Sequence, residues 1–124
     1  MKTYLVRAAL VCSLATAFTT AAAADGDAVK GKKVFNKCRA CHSLTPDRNM
    51  SGPSLAGIVG KQAAMAEKFR YSKAMKQSGW TWDEATLTDF LIAPKKSLKG
   101  TKMIFAGLRK PADIENLIAF LKDN

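Results

Sequence analysis

Apolar residues recur at Ile114, Leu117, Ile118 and Leu121, the i, i+3, i+4, i+7 spacing of one helical face. Pro111 stands just before that stripe, and a proline in the first turn of a helix forfeits no intrahelical hydrogen bond. The spacing therefore predicts a final helix opened by Pro111. A second stripe, Leu87, Phe90 and Leu91, predicts a helix from Asp83 to Ile92. Thr81-x-x-Glu84 ahead of it has the form of a capping box. Near the other end, Asp27 is a suitable N-cap for a helix from Ala28 to about Lys37, with Val34 and Phe35 as its apolar contacts. Gly31 falls inside that helix. Glycine there costs up to about 1 kcal/mol against alanine, so Gly31 predicts close approach by another backbone. The stretch from Ser43 to Ser78 reads mainly as loops and short turns, without internal repeats. An all-α domain with extensive loops is the expected class, and such loops need something to pack on.

The first 24 residues follow a different pattern. Lys2 and Arg7 precede an apolar run from Ala8 to about Phe18, small residues fill Ala21 to Ala24, and charge resumes at Asp25. This is the layout of a cleaved secretory signal peptide with an A-x-A site. The run is shorter than the roughly 20 apolar residues of a spanning helix. No stable membrane insertion is expected after cleavage. Residues 25–124 then form one domain, and Cys12 leaves with the signal. Without Lys2 and Arg7, 18 basic residues face 10 acidic ones, a formal charge of +8. A basic chain of this kind suggests nucleic acid or an acidic protein surface. Export to the periplasm argues against nucleic acid.

Only Cys38 and Cys41 then remain as thiols, in C-R-A-C-H, residues 38–42. A helical turn here would place both sulfurs on one face, with His42 projecting beside them. Three chemistries compete. Structural zinc needs four ligands, usually from two separated pairs, and the exported chain has one pair and one histidine. A thioredoxin-type dithiol sits between a strand and a helix, yet no alternating run precedes Cys38. The third reading is c-type haem attachment, in which both thiols become thioethers and His42 reaches the iron. It uses all three residues. A haem iron with one histidine has a sixth position whose occupant decides between catalysis and electron transfer. Met103, near the end of the basic loop P-K-K-S-L-K-G-T-K-M-I-F-A-G, is a candidate, although a lone methionine is more often core filler.

The chain resembles the class I cytochromes c, in their mitochondrial and photosynthetic-bacterial branch, from G-D-A-V-K-G-K-K-V-F to L-I-A-F-L-K. The resemblance implies a fold of crossed terminal helices wrapped, with shorter helices and loops, around one haem c. It carries Gly31, Phe35, Cys38, Cys41 and His42 onto the first helix and haem site, and implies that Phe120 packs near Gly31. G-P-S-L-A-G-I-V-G is similar to the loop whose proline carbonyl accepts a hydrogen bond from the proximal histidine, a role that falls on Pro53. F-R-Y-S and W-T-W-D-E-A-T-L imply Tyr71 and Trp82 near the haem propionates. The distal loop implies Met103 as sixth ligand, Thr101 as a propionate contact and Phe105 at the exposed haem edge. It also makes Lys96 and Lys102 candidates to replace Met103 at alkaline pH. Three positions depart from the commoner pattern: Phe90 for tyrosine, Met75 for asparagine and Lys61 for arginine.

The function implied is electron carriage rather than catalysis: a monomeric, exported carrier moving one electron between membrane redox complexes. Lys37, Lys95, Lys96, Lys99 and Lys102 would steer partners with acidic docking surfaces toward the haem edge.

Overall fold

The computed structural model describes residues 25–124. The export-signal reading of residues 1–24, with Cys12, lies outside the described residues. Five helices follow in chain order: α1 (Ala28–Phe35), α2 (Lys73–Gln77), α3 (Glu84–Ile92), α4 (Pro94–Ser97) and α5 (Pro111–Lys122). Among the described residues the one β-pairing is an isolated antiparallel bridge between Gln62 and Thr81. The all-α expectation holds.

α1 starts where the cap demands. The Asp27 carboxylate accepts from the backbone N–H groups of Val29 and Lys30, at 2.9 and 3.1 Å, and so satisfies two donors that lack helical partners. Regular helix stops at Phe35, two residues short of the expected end, because the chain tightens into turns. The Cys38 N–H already bonds the Phe35 carbonyl at 2.8 Å. α5 opens on Pro111 and buries Ile114, Leu117, Ile118 and Leu121 along the predicted face. The two terminal helices pack against each other at Gly31. A Cβ there would collide with the Asn116 carbonyl oxygen of α5 and come within 2.7 Å of the Phe120 Cβ. Phe35 meets Phe120 at 5.4 Å between ring centroids, and the Asn116 side chain accepts from the Asp27 N–H at 2.7 Å.

The predicted capping box is corrected. The N-cap of α3 is Asp83, whose carboxylate accepts from the Thr86 N–H at 2.8 Å. Thr81 is drawn instead into the short bridge, where Gly60 N–H bonds the Trp82 carbonyl at 2.9 Å and Trp82 N–H bonds the Lys61 carbonyl at 2.8 Å. Those bonds hold the threonine backbone away from the helix start. α2 and α4 lie in stretches that read as loop, being too short to show a period. Ser72 caps α2 through its hydroxyl, and Pro94 opens α4.

After α3 the chain makes one long excursion, closed where the Leu108 N–H returns to the Leu91 carbonyl at 2.8 Å. Gly107 makes the return possible. Its φ is +98°, and a Cβ would run into the Ile92 carbonyl oxygen. Phe90 and Trp82 stand 5.2 Å apart in an aromatic group completed by Trp80, whose rings meet tilted or edge to face.

Candidate cofactor site

The turn after α1 sets the first wall of the site. Cys41 N–H and His42 N–H both bond the Cys38 carbonyl at 3.0 Å, folding the C-R-A-C-H stretch into one tight turn. The next loop doubles back over it. Gly52 N–H bonds the Cys41 carbonyl and Leu55 N–H the Ser43 carbonyl, each at 2.8 Å, which carries Gly52 and Pro53 onto the imidazole.

His42 Nδ1 lies 2.8 Å from the Pro53 carbonyl oxygen. A carbonyl only accepts, so Nδ1 carries the proton and Nε2 keeps its lone pair. Burial pulls the His42 pKa below the ordinary 6.5, against the Pro53 carbonyl, which pulls it up. The imidazole is therefore neutral at neutral pH, the form that ligates a metal. Gly52 lies flat against the ring: a Cβ there would stand 2.7 Å from Nδ1 and 2.8 Å from Nε2.

These residues face a cavity of about 310 Å³. The nine residues expected to hold the cofactor or its metal line it: Cys38, Cys41, His42, Pro53, Tyr71, Trp82, Thr101, Met103 and Phe105. They come from five separate stretches of chain. Phe90 and Met75 line it as well, adding apolar surface to its interior. The Thr101 hydroxyl accepts from the Met103 N–H at 3.3 Å and helps set the loop's turn. The Tyr71 hydroxyl accepts from the Ala66 N–H at 3.1 Å, and burial pushes its pKa above 10.0. Lys61 is absent from this lining. Its ammonium donates to the Ala56 carbonyl at 3.0 Å and borders a neighbouring cavity, whose shared wall is Ile58, Tyr71 and Trp82.

The geometry separates the three chemistries that the pentapeptide left open. Among the described residues no three His, Cys, Asp or Glu side chains converge as a metal-binding group, so the two thiols and the imidazole do not share one ion. A reactive dithiol needs a depressed thiol pKa. Burial raises that of Cys38 instead, with the Lys37 cation only partly opposing it. Cys38 also follows the C-terminal end of α1, where the helix dipole disfavours an anion. Haem fits what is present. An apolar slot has two thiols at its rim, an imidazole with a free Nε2, and a thioether sulfur on a separate loop.

What the fold and site define is a helical domain built around one prosthetic group attached through a paired-cysteine turn. Residues 28–124 match the family model "Cytochrome c", and the chain belongs to that family of electron-transport haem proteins. It is 50% identical over 97 residues to cytochrome c2 of Rhodoblastus acidophilus, covering 77% of this chain and 91% of that protein. It is 46% identical over 122 residues to cytochrome c2 of Rhodomicrobium vannielii, covering 98% and 93%. The structure matches that of cytochrome cH from Methylobacterium extorquens with a TM-score of 0.77 and 44% identity, over 80% of this chain and all of that one. Family membership brings one haem c, joined covalently through Cys38 and Cys41 of the C-x-x-C-H sequence.

Two residues were given no role by motif. Gly52 opens the G-P-S-L-A-G-I-V-G stretch, and its role could have been found by asking why glycine stands there. Asn49, whose side chain joins two loops, carries no sequence signal at all.

Proposed function

We propose that the chain is a soluble periplasmic carrier that moves single electrons between membrane redox complexes, with His42 and Met103 as the residues that would ligate its haem iron. The observation that carries this reading is that Met103, remote in sequence from His42, lines the same cavity. Ligands from two loops would leave the iron no open position for a substrate. The haem supplies a one-electron Fe(III)/Fe(II) couple. A thioether ligand from Met103 favours the reduced state relative to a second histidine, and the Pro53 carbonyl holds the His42 ring in one orientation. Phe90 and Met75 keep water from the interior. Tyr71, Trp82 and Thr101, which line the cavity, would meet the propionates, and Phe105 would lie at the edge.

Partner choice rests on charge. Lys37, Lys95, Lys96, Lys99 and Lys102 are all exposed, and Ile104 among them is 92% exposed. Lys37, Lys102 and Ile104 border the haem cavity itself, and cations beside an exposed apolar residue suit a partner with an acidic rim, giving fast, oriented and short-lived encounters. The oxidised holoprotein is expected to show a weak far-red band that Met103→Ala abolishes, and electron transfer to its partner slows as ionic strength rises. Ready binding of carbon monoxide or cyanide by the untreated protein would overturn the closed-iron reading. A rate indifferent to salt would overturn lysine-guided docking.

A further inference from the structure

We infer that Asn49 is a positioning residue for His42, acting through the Pro53–Ser54 peptide group to strengthen the hydrogen bond that orients the imidazole. The Asn49 side-chain oxygen accepts from the Ser54 N–H at 3.1 Å, and its amide nitrogen donates to the Glu67 carbonyl at 2.7 Å. These partners fix which end of the amide is which, since a backbone N–H only donates and a carbonyl only accepts.

The peptide between Pro53 and Ser54 is one conjugated unit. At one end its carbonyl takes the proton of His42 Nδ1, at 2.8 Å; at the other its N–H is held by Asn49. An acceptor on the N–H draws charge toward the carbonyl oxygen, and hydrogen bonds linked in this way reinforce one another. A stronger acceptor at Nδ1 makes Nε2 a better donor to a metal, the usual role of the group behind a ligating histidine. The chain of contacts thus runs from the ring, through one peptide, to an amide anchored on the Glu67 carbonyl, in the loop that leads to Tyr71. Ser54 is braced from the far side as well, its hydroxyl donating to the Thr45 carbonyl at 2.7 Å. The peptide is therefore held in place, and removing Asn49 changes its polarisation more than its position.

This inference rests on His42 being the proximal ligand, and the test separates the two. In the reduced holoprotein, Asn49→Leu removes both hydrogen bonds while keeping the side chain's bulk. Asn49→Asp keeps an acceptor for Ser54, now charged, and loses the donor to Glu67. Asn49→Leu is expected to move the His42 Nδ1–H proton resonance upfield and the midpoint potential upward. Asn49→Asp is expected to move both in the opposite directions. A resonance that stays put in both variants overturns the relay, even if both melt earlier, because a purely structural brace predicts that result. A potential shift in Asn49→Asp without a moving resonance is through-space charge and overturns it too. If Asn49→Leu fails to fold, the two readings on Asn49→Asp decide alone. A parent protein lacking the far-red band would instead overturn the His42/Met103 ligation on which the relay depends.

Discussion

The two loops that bring side chains to the haem cavity are built to different standards. The loop behind His42 is pinned along its length: Gly52 to Cys41, Leu55 to Ser43, Ser54 to Thr45, and Asn49 to both Ser54 and Glu67. The Met103 loop is pinned mainly at its ends. Thr101 N–H bonds Leu98, Leu108 N–H bonds Leu91, and between them Met103 N–H bonds the Thr101 hydroxyl at a long 3.3 Å. Ile104 stands almost wholly in water. The difference teaches that one side of the cavity is a fixed seat and the other a closure. Local opening is cheapest where few buried contacts and few backbone bonds resist it.

The largest effect is expected at the seat. Gly52→Ala drives a Cβ into the imidazole, between rigid loop backbone and ring. Overpacking of this kind costs about 3 kcal/mol, read as a lower denaturant midpoint with unchanged slope. Next comes the hinge of the closure. Gly107→Ala combines a φ of +98° with a clash on the Ile92 backbone carbonyl, for a loss of about 3 kcal/mol, comparable to that at Gly52. A cost at Gly107 well below that at Gly52 would show the looser loop giving way around the clash and would sharpen the contrast between the two loops.

Met103→Ala tests the closure itself. The residue is half-buried on a loosely bonded loop, so global stability falls by only about 1 kcal/mol. The far-red band disappears, while a haemochrome assay still finds one covalent haem. Loss of the fold along with the band would mean that the distal loop is as structural as the proximal one.

The smallest effect comes from acid. Asp27 caps α1 on the seat side and Asp83 caps α3 ahead of the closure. Backbone N–H donors, Lys30 to the first and Thr86 to the second, hold each carboxyl below its ordinary 3.8. A depressed folded pKa means that the unfolded chain binds the extra proton more readily. The caps therefore contribute fully above pH 3.8, and their contribution is lost as pH falls through the lower folded values. Asp27→Asn and Asp83→Asn keep a capping oxygen, and thermal melts below that pH are expected to flatten in both. A flattening confined to Asp27→Asn would show that α3 and its loop have already opened before the core melts.

Much of this was legible in the residues. The stripe of α5, the Asp27 cap, the Pro111 start and the approach at Gly31 follow from periodicity and from what glycine and proline permit. C-R-A-C-H restricted the chemistry to three candidates, and resemblance singled out nine residues that the fold brings to one cavity. The capping box failed for a physical reason: a threonine and an aspartate stood within reach of the same helix start, and a bridge to Gln62 removed the threonine. α2 and α4 were unreadable because one turn of helix has no period.

By itself the sequence determined the helical class, the attachment turn and the identity of the groups available, since these rest on local spacing and side-chain chemistry. Tertiary structure alone decided which of them meet. It laid Gly52 on the imidazole, gave the Nδ1 proton an acceptor at Pro53, and left Lys61 bonded to Ala56 on the wall of a second cavity. Contacts between residues distant in the chain depend on where loops return. That is set by hydrogen bonds and packing across the fold, which no local pattern records.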